Sequence, residues 1–151
     1  MNDRVMVAVK EVYLETDPGK GNMVILKEVA EAEQFFLMFV GDSEFAAIAK
    51  EKGYVEPKRP LTHDMYQQIL ARLPVEFLRV EIHDMQEETY FANVVFRSEG
   101  VDHVIDCRPS DAVALALKMN LSIMVNQTLF RRKLSQEEIK EYEGLVKTVK
   151  F

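Results

Sequence analysis

The stretch Val104-Ile105-Asp106-Cys107-Arg108-Pro109-Ser110-Asp111-Ala112-Val113-Ala114-Leu115-Ala116-Leu117 reads as a strand that runs, without a linker, into a helix. Pro109 suits the first helical position, because its missing N–H would have no intrahelical partner there and its φ is already helical. Ser110 and Asp111 place oxygens and a negative charge in the first turn, where free N–H groups and the helix dipole favour them. Beyond them the helix is apolar on every side and thinned by three alanines, which predicts a buried helix closely approached by its neighbours. Arg108 is a cation at the positive end of that helix. It calls for an anionic partner, either structural or a ligand.

Working outward, the same order of residues occurs earlier in the chain. Val40-Gly41-Asp42-Ser43-Glu44-Phe45-Ala46-Ala47-Ile48 also takes a strand through Ser-acid into an Ala-rich helix. Strands are expected over 5–13, 23–29 and 34–40 before the first junction, and over 76–84, 89–98 and 101–107 before the second. The unbroken apolar run at 34–40 predicts a strand at the centre of a sheet, covered on both faces. A β-β-β-α unit used twice follows: an α+β fold with a mixed β-sheet core, short helices and two pseudo-symmetric halves. Between the halves, Thr62 reads as an N-cap with Leu61 and Tyr66 as a hydrophobic staple, and a helix over 63–73 ends before Pro74. A last strand is expected at 122–125. Residues 1–131 form the domain, and 132–151 a helical tail in which Ser135 and Glu138 make a capping box.

The chain's 151 residues suffice for one domain with a real core, and 48% hydrophobic with 29% charged residues is ordinary for a soluble protein. No apolar run reaches the roughly 18 residues of a membrane helix, so no membrane partner is expected. Met1-Asn2-Asp3-Arg4 lacks the features of a signal peptide, and the lone Cys107 excludes an intrachain disulfide or a multi-cysteine metal site. A cytoplasmic location is the expectation. The net charge of −6 disfavours a general nucleic-acid-coating role, while leaving room for a local basic cleft or a metal that bridges to phosphate.

His63-Asp64 stands at a helix start, where an imidazole can serve as general base or metal ligand, or as a plain structural hydrogen-bonding group. His83 shares a strand face with Arg79 and Glu81 and is expected at the solvent. His103 alternates with Val101, Ile105 and Cys107 on an apolar face. Asp106 and Arg108 share the other side of that strand end, beside Ser110 and Asp111. Such strand-to-helix junctions take anionic ligands, but Arg108 with an acid would equally make an ion pair. Gly-rich phosphate loops, a nucleophile elbow and a closely spaced metal triad are absent from the sequence.

Several motifs together resemble one family. Arg59-Pro60-Leu61-Thr62-His63-Asp64, Val80-Glu81-Ile82-His83-Asp84, Tyr90-Phe91-Ala92, the stretch from Ile105 to Ala116, and Ile123-Met124-Val125 are similar, in order, to the bifunctional nuclease domain family. Val40-Gly41 with Glu44-Phe45-Ala46-Ala47-Ile48 resembles a further segment of it. The resemblance covers about residues 5–130 and leaves the tail out. It implies a compact α+β domain, assembly into homo-oligomers, a dimer above all, and cleavage of both RNA and DNA. Phe45 and Cys107 depart from the small residues usual there.

These observations make a nuclease of phosphodiester bonds the leading expectation, with His63, Asp64, Arg108 and Asp111 catalytic. His63 would activate water and Arg108 would steady charge on phosphate. Asp64, Asp106 and Asp111 would hold a divalent metal, Mg²⁺ or Mn²⁺. Arg59, Ser110 and Glu44 would bind substrate, with nucleic acid the partner that the resemblance implies. The alternative is a non-catalytic binding or regulatory module, in which the acid–His–Arg cluster is an ion-pair network or holds a small anion.

Overall fold

Two antiparallel meanders, each running into a helix, carry the architecture. In the computed structural model, which describes residues 5–131, β2 (Glu11–Asp17), β3 (Gly21–Lys27) and β4 (Phe36–Val40) form a three-stranded sheet leading into α1 (Asp42–Glu51). After α2 (Thr62–Leu70), the order repeats with β5 (Val75–Gln86), β6 (Thr89–Ser98), β7 (Val101–Cys107) and α3 (Pro109–Met119). β8 (Ser122–Asn126) then runs parallel to β5 and antiparallel to β1 (Met6–Val9), completing a five-stranded mixed sheet of order β1-β8-β5-β6-β7. The α+β class is as expected, and the β-β-β-α order occurs twice. The helical tail expected over 132–151 lies outside the described residues.

The single strand expected over 5–13 is two strands in different sheets. The physical reason is a slip of period: Val9 and Val12 are both buried, three residues apart, whereas a continuous strand alternates by two. At Lys10 the chain leaves β8 and joins β3, with the Lys10 N–H donating to the Lys27 carbonyl (3.0 Å). The doubly covered strand is not β4, which lies at a sheet edge, but the central β3. Four consecutive β3 residues, Met23 to Leu26, are buried, whereas Phe39 of β4 is exposed.

Helix α3 lies at the centre of the molecule. Arg108 is its N-cap and Pro109 its first helical residue, while Asn120 closes it in the left-handed conformation (φ 55°) that Asn tolerates. Ala112, Val113, Ala114 and Ala116 are buried and let α3 approach α1, β5, β6 and β8. They share one core with Val80 and Ile82 of β5, Ile123 and Val125 of β8, and Leu26, Phe36 and Ile48 from the first half. Helix α2 starts one residue earlier than expected, with Leu61 rather than Thr62 as N-cap, and ends at Leu70. Asp64 decides that start, because its carboxylate accepts the Leu61 N–H (2.7 Å), which is half of a capping box.

Candidate functional site

Chemistry-bearing side chains gather in two clusters that meet at α2. In the first, the two helix junctions share one guanidinium. Glu44 is the third residue of α1 and Asp111 the third of α3, so they occupy equivalent positions in the two halves. Arg108 donates to both. Its Nε and Nη2 reach the two Asp111 oxygens at 3.0 and 3.1 Å, and its Nη1 reaches Glu44 Oε1 at 2.9 Å. The anionic partner that Arg108 requires is therefore protein. The group is not a buried ion pair, however, because the Arg108 side chain is 65% exposed. Among the described residues, two of the five guanidinium N–H donors stay open. Gly41, which occupies the place of Arg108 in the first half, leaves room for Glu44: a Cβ there would lie 2.5 Å from Glu44 Oε2.

The second cluster lies among the three helices. Asp64 Oδ1 accepts from Lys50 and from Lys118 (2.6 Å), and Oδ2 takes the Leu61 N–H. Lys50 also donates to Glu51 (2.6 Å), and Glu51 Oε1 lies 3.0 Å from His63 Nε2. Burial pushes the Asp64 carboxyl up, but the hydrogen bonds from Lys118, Lys50 and the Leu61 N–H outweigh it and hold the group well below the usual carboxylate range. Burial likewise lowers Lys50, and its bonds to Asp64 and Glu51 more than restore it. Two carboxylates and two ammonium groups thus balance.

A cavity of about 640 Å³ joins the clusters. Its floor is apolar, with Tyr66, Leu70, Phe77, Phe96, Ile105 and Leu115, and its rim carries His63, Arg108 and Asp111. Three of the four expected catalytic residues therefore meet. Asp64 faces a different cavity, shared with Arg59, Lys50 and Lys118. Glu44 and Ser110 line a third, on the other side of Arg108. Ser110 is buried.

Asp106 is exposed and lines none of these cavities. The expected metal trio Asp64, Asp106 and Asp111 does not form: period-2 alternation turns Asp106 away from Ile105, which lines the cavity. Among the described residues the group whose donor atoms lie within 4.8 Å of one another is Glu51, His63 and Asp64. Asp64 Oδ1 and Glu51 Oε1 are already engaged by Lys50 and Lys118, so a divalent cation held by this group would compete with both ammonium groups.

His103 stacks on Phe96, with ring centroids 5.0 Å apart and planes at 17°. Cys107 is partly buried and its thiol is pushed up to about 11, first by burial and then by Asp111 and Asp106, which makes it a poor nucleophile. Sequence reasoning missed Lys50, Glu51 and Lys118. They sit in the last turns of α1 and α3; Asp64, the partner of Lys50 and Lys118, lies 14 and 54 residues from them, and His63 lies 12 from Glu51, so no local spacing signals them.

Comparison with known proteins adds a family. A family model described as the bifunctional nuclease domain matches residues 24–138. Two relatives from Mycobacterium tuberculosis, the uncharacterized protein MT1877 of strain CDC 1551 / Oshkosh and the uncharacterized protein Rv1829 of strain ATCC 25618 / H37Rv, are each 35% identical over 124 residues. The alignments cover 82% of this chain and 74% of each relative. The chain belongs to the bifunctional nuclease domain family.

Proposed function

We propose that the protein hydrolyses phosphodiester bonds of nucleic acid at the rim of the cavity between α2 and β5–β7. The observation that carries this reading is the convergence of His63, Arg108 and Asp111 on one opening, from elements 45 residues apart in sequence. Glu51 accepts from His63 Nε2 and orients the ring, leaving Nδ1 as the basic nitrogen. That nitrogen takes the proton of the attacking water as the new P–O bond forms and the opposite ester P–O bond breaks, the departing sugar oxygen taking a proton from solvent. The two open N–H donors of Arg108 stabilise the charge gathering on the non-bridging oxygens. Asp111 and Glu44 hold the guanidinium in place. The apolar floor, with Phe77 and Phe96, suits a stacked base. Because both oxygens of Asp64 are already engaged by Lys50, Lys118 and the Leu61 N–H, cleavage is expected to persist in EDTA.

The test is cleavage of labelled RNA and DNA by wild type, His63→Ala and Arg108→Ala. Loss of one hundred-fold or more in both variants is the expected outcome, in line with magnitudes of about 10²–10³ for such groups. The binding-module alternative draws support from one specific observation: Arg108 already has protein carboxylates on both sides. Absence of cleavage by the purified wild type, with nucleic acid still bound, would favour it.

A second copy of the chain is the partner this reading adds. β7 lies at a sheet edge, and Val101, Val104 and Ile105 on it are exposed, which leaves an open row of backbone N–H and C=O groups for pairing.

A further inference from the structure

We propose that the cavity bounded by Lys50, Lys58, Arg59 and Lys118 is a second site, which binds a phosphoryl group. It measures about 510 Å³ and lies between the 53–60 loop and the facing residues of α1, α2 and α3. Its lining holds those four cations against two carboxylates, Glu56 and Asp64, in a chain of net charge −6.

Asp64 does not repel an incoming anion as a free carboxylate would. Both of its oxygens are occupied, and it holds the two ammonium groups side by side. An ammonium has three N–H donors. Among the described residues Lys118 uses one in a hydrogen bond and Lys50 uses two, so three remain open.

Lys58 and Arg59 are exposed and have no hydrogen-bond or ion-pair partner among the described residues. They stand in Pro57-Lys58-Arg59-Pro60, where each proline fixes its own φ and restricts the residue before it. Arg59, immediately before Pro60, is therefore presented on a restricted backbone, which lowers the cost of ordering it on a ligand. Three point charges and one guanidinium fork suit an anion with several oxygens and up to two charges better than a carboxylate.

Glu51 bridges Lys50 to His63, so this cavity backs onto the cavity where hydrolysis is proposed. On that reading the phosphoryl group belongs to the same strand as the scissile one. Only the source of the phosphate rests on that reading, not its binding.

The experiment is an amide NMR titration of the full chain with inorganic phosphate, a nucleoside 5′-monophosphate and a single-stranded oligonucleotide lacking a terminal phosphate. Saturable shifts at Gly53, Val55, Lys58 and Arg59 are expected. The double variant Lys58→Glu/Arg59→Glu should weaken binding by at least about tenfold without changing the melting temperature. Tightest binding of the oligonucleotide assigns the phosphate to a strand, and tightest binding of the monophosphate assigns it to a small ester. The site is overturned if no saturable shifts occur there, if they occur only at the Arg108 rim, or if the double variant binds as tightly as wild type. Intact binding together with absent cleavage would remove the hydrolysis reading and leave this one standing.

Discussion

Two acidic side chains, Asp64 and Glu15, set opposite limits on stability. Asp64 is buried and tied to two lysines, so Asp64→Ala takes the hydrogen bond from Lys118 and leaves Lys50 with Glu51 alone, and is expected to cost about 3 kcal/mol in denaturant unfolding. Its folded-state pKa is lowered, so the stability it contributes is present above the unfolded-state value and is lost as pH falls below it. Glu15 behaves in the opposite way. It is 1% exposed, neither oxygen has a hydrogen-bond partner among the described residues, and its carboxyl is raised to about 7, first by burial and then by Asp17. The neutral folded form is favoured, so that contribution is present below the unfolded-state pKa and is lost as pH rises through about 7. Glu15→Gln should therefore stabilise the protein above pH 8 and flatten the fall in melting temperature between pH 5 and pH 8. An unchanged pH profile would show that Glu15 is ionised in the fold. By contrast, Arg108→Ala should cost no more than about 1 kcal/mol, because its ion pairs lie in solvent. Cleavage, not stability, is where that residue is expected to show.

At the scale of the elements, the β5–β6 turn violates its own chemistry. Glu87 and Glu88 are its two central residues and both take positive φ, 48° and 64°. The tight antiparallel turn demands this, but only Asn, Asp and Gly adopt it cheaply. Replacing Glu87-Glu88 by Asn-Gly is expected to raise stability by about 1 kcal/mol, read as a shift in denaturation midpoint. The strand-to-helix junctions, in contrast, were legible from residue types alone: Pro109 at the first helical position and acids in both first turns are where the structure has them. Their convergence on Arg108 was not legible, since it depends on α1 packing against α3. The split of 5–13 into two strands was legible in the phase of the valines, where the step from Val9 to Val12 breaks the period of two. The early start of α2 was hidden because Leu61 offers no cap of its own and Asp64 supplies the bond from inside the helix.

For the whole molecule, the two halves meet through α1 and α3, and α2 lends residues to both cavities that carry the candidate chemistry. This placement explains why His63 and Arg108 could be named in sequence as candidates while Lys50, Glu51 and Lys118 could not. The former stand at helix starts, the latter only become partners once the helices pack. The open β7 edge belongs to this scale too. If a second copy pairs there, Val104→Glu should shift the protein to a smaller species in light scattering, and an unchanged mass would place any assembly elsewhere. The most direct test of the central claim is cleavage of labelled RNA and DNA by protein taken through successive purification steps, with EDTA and with Mg²⁺ or Mn²⁺. The account predicts activity that co-elutes with the protein, persists in EDTA, and falls at least about one hundred-fold in both His63→Ala and Arg108→Ala. Activity that separates from the protein, or that both variants retain in full, would contradict it.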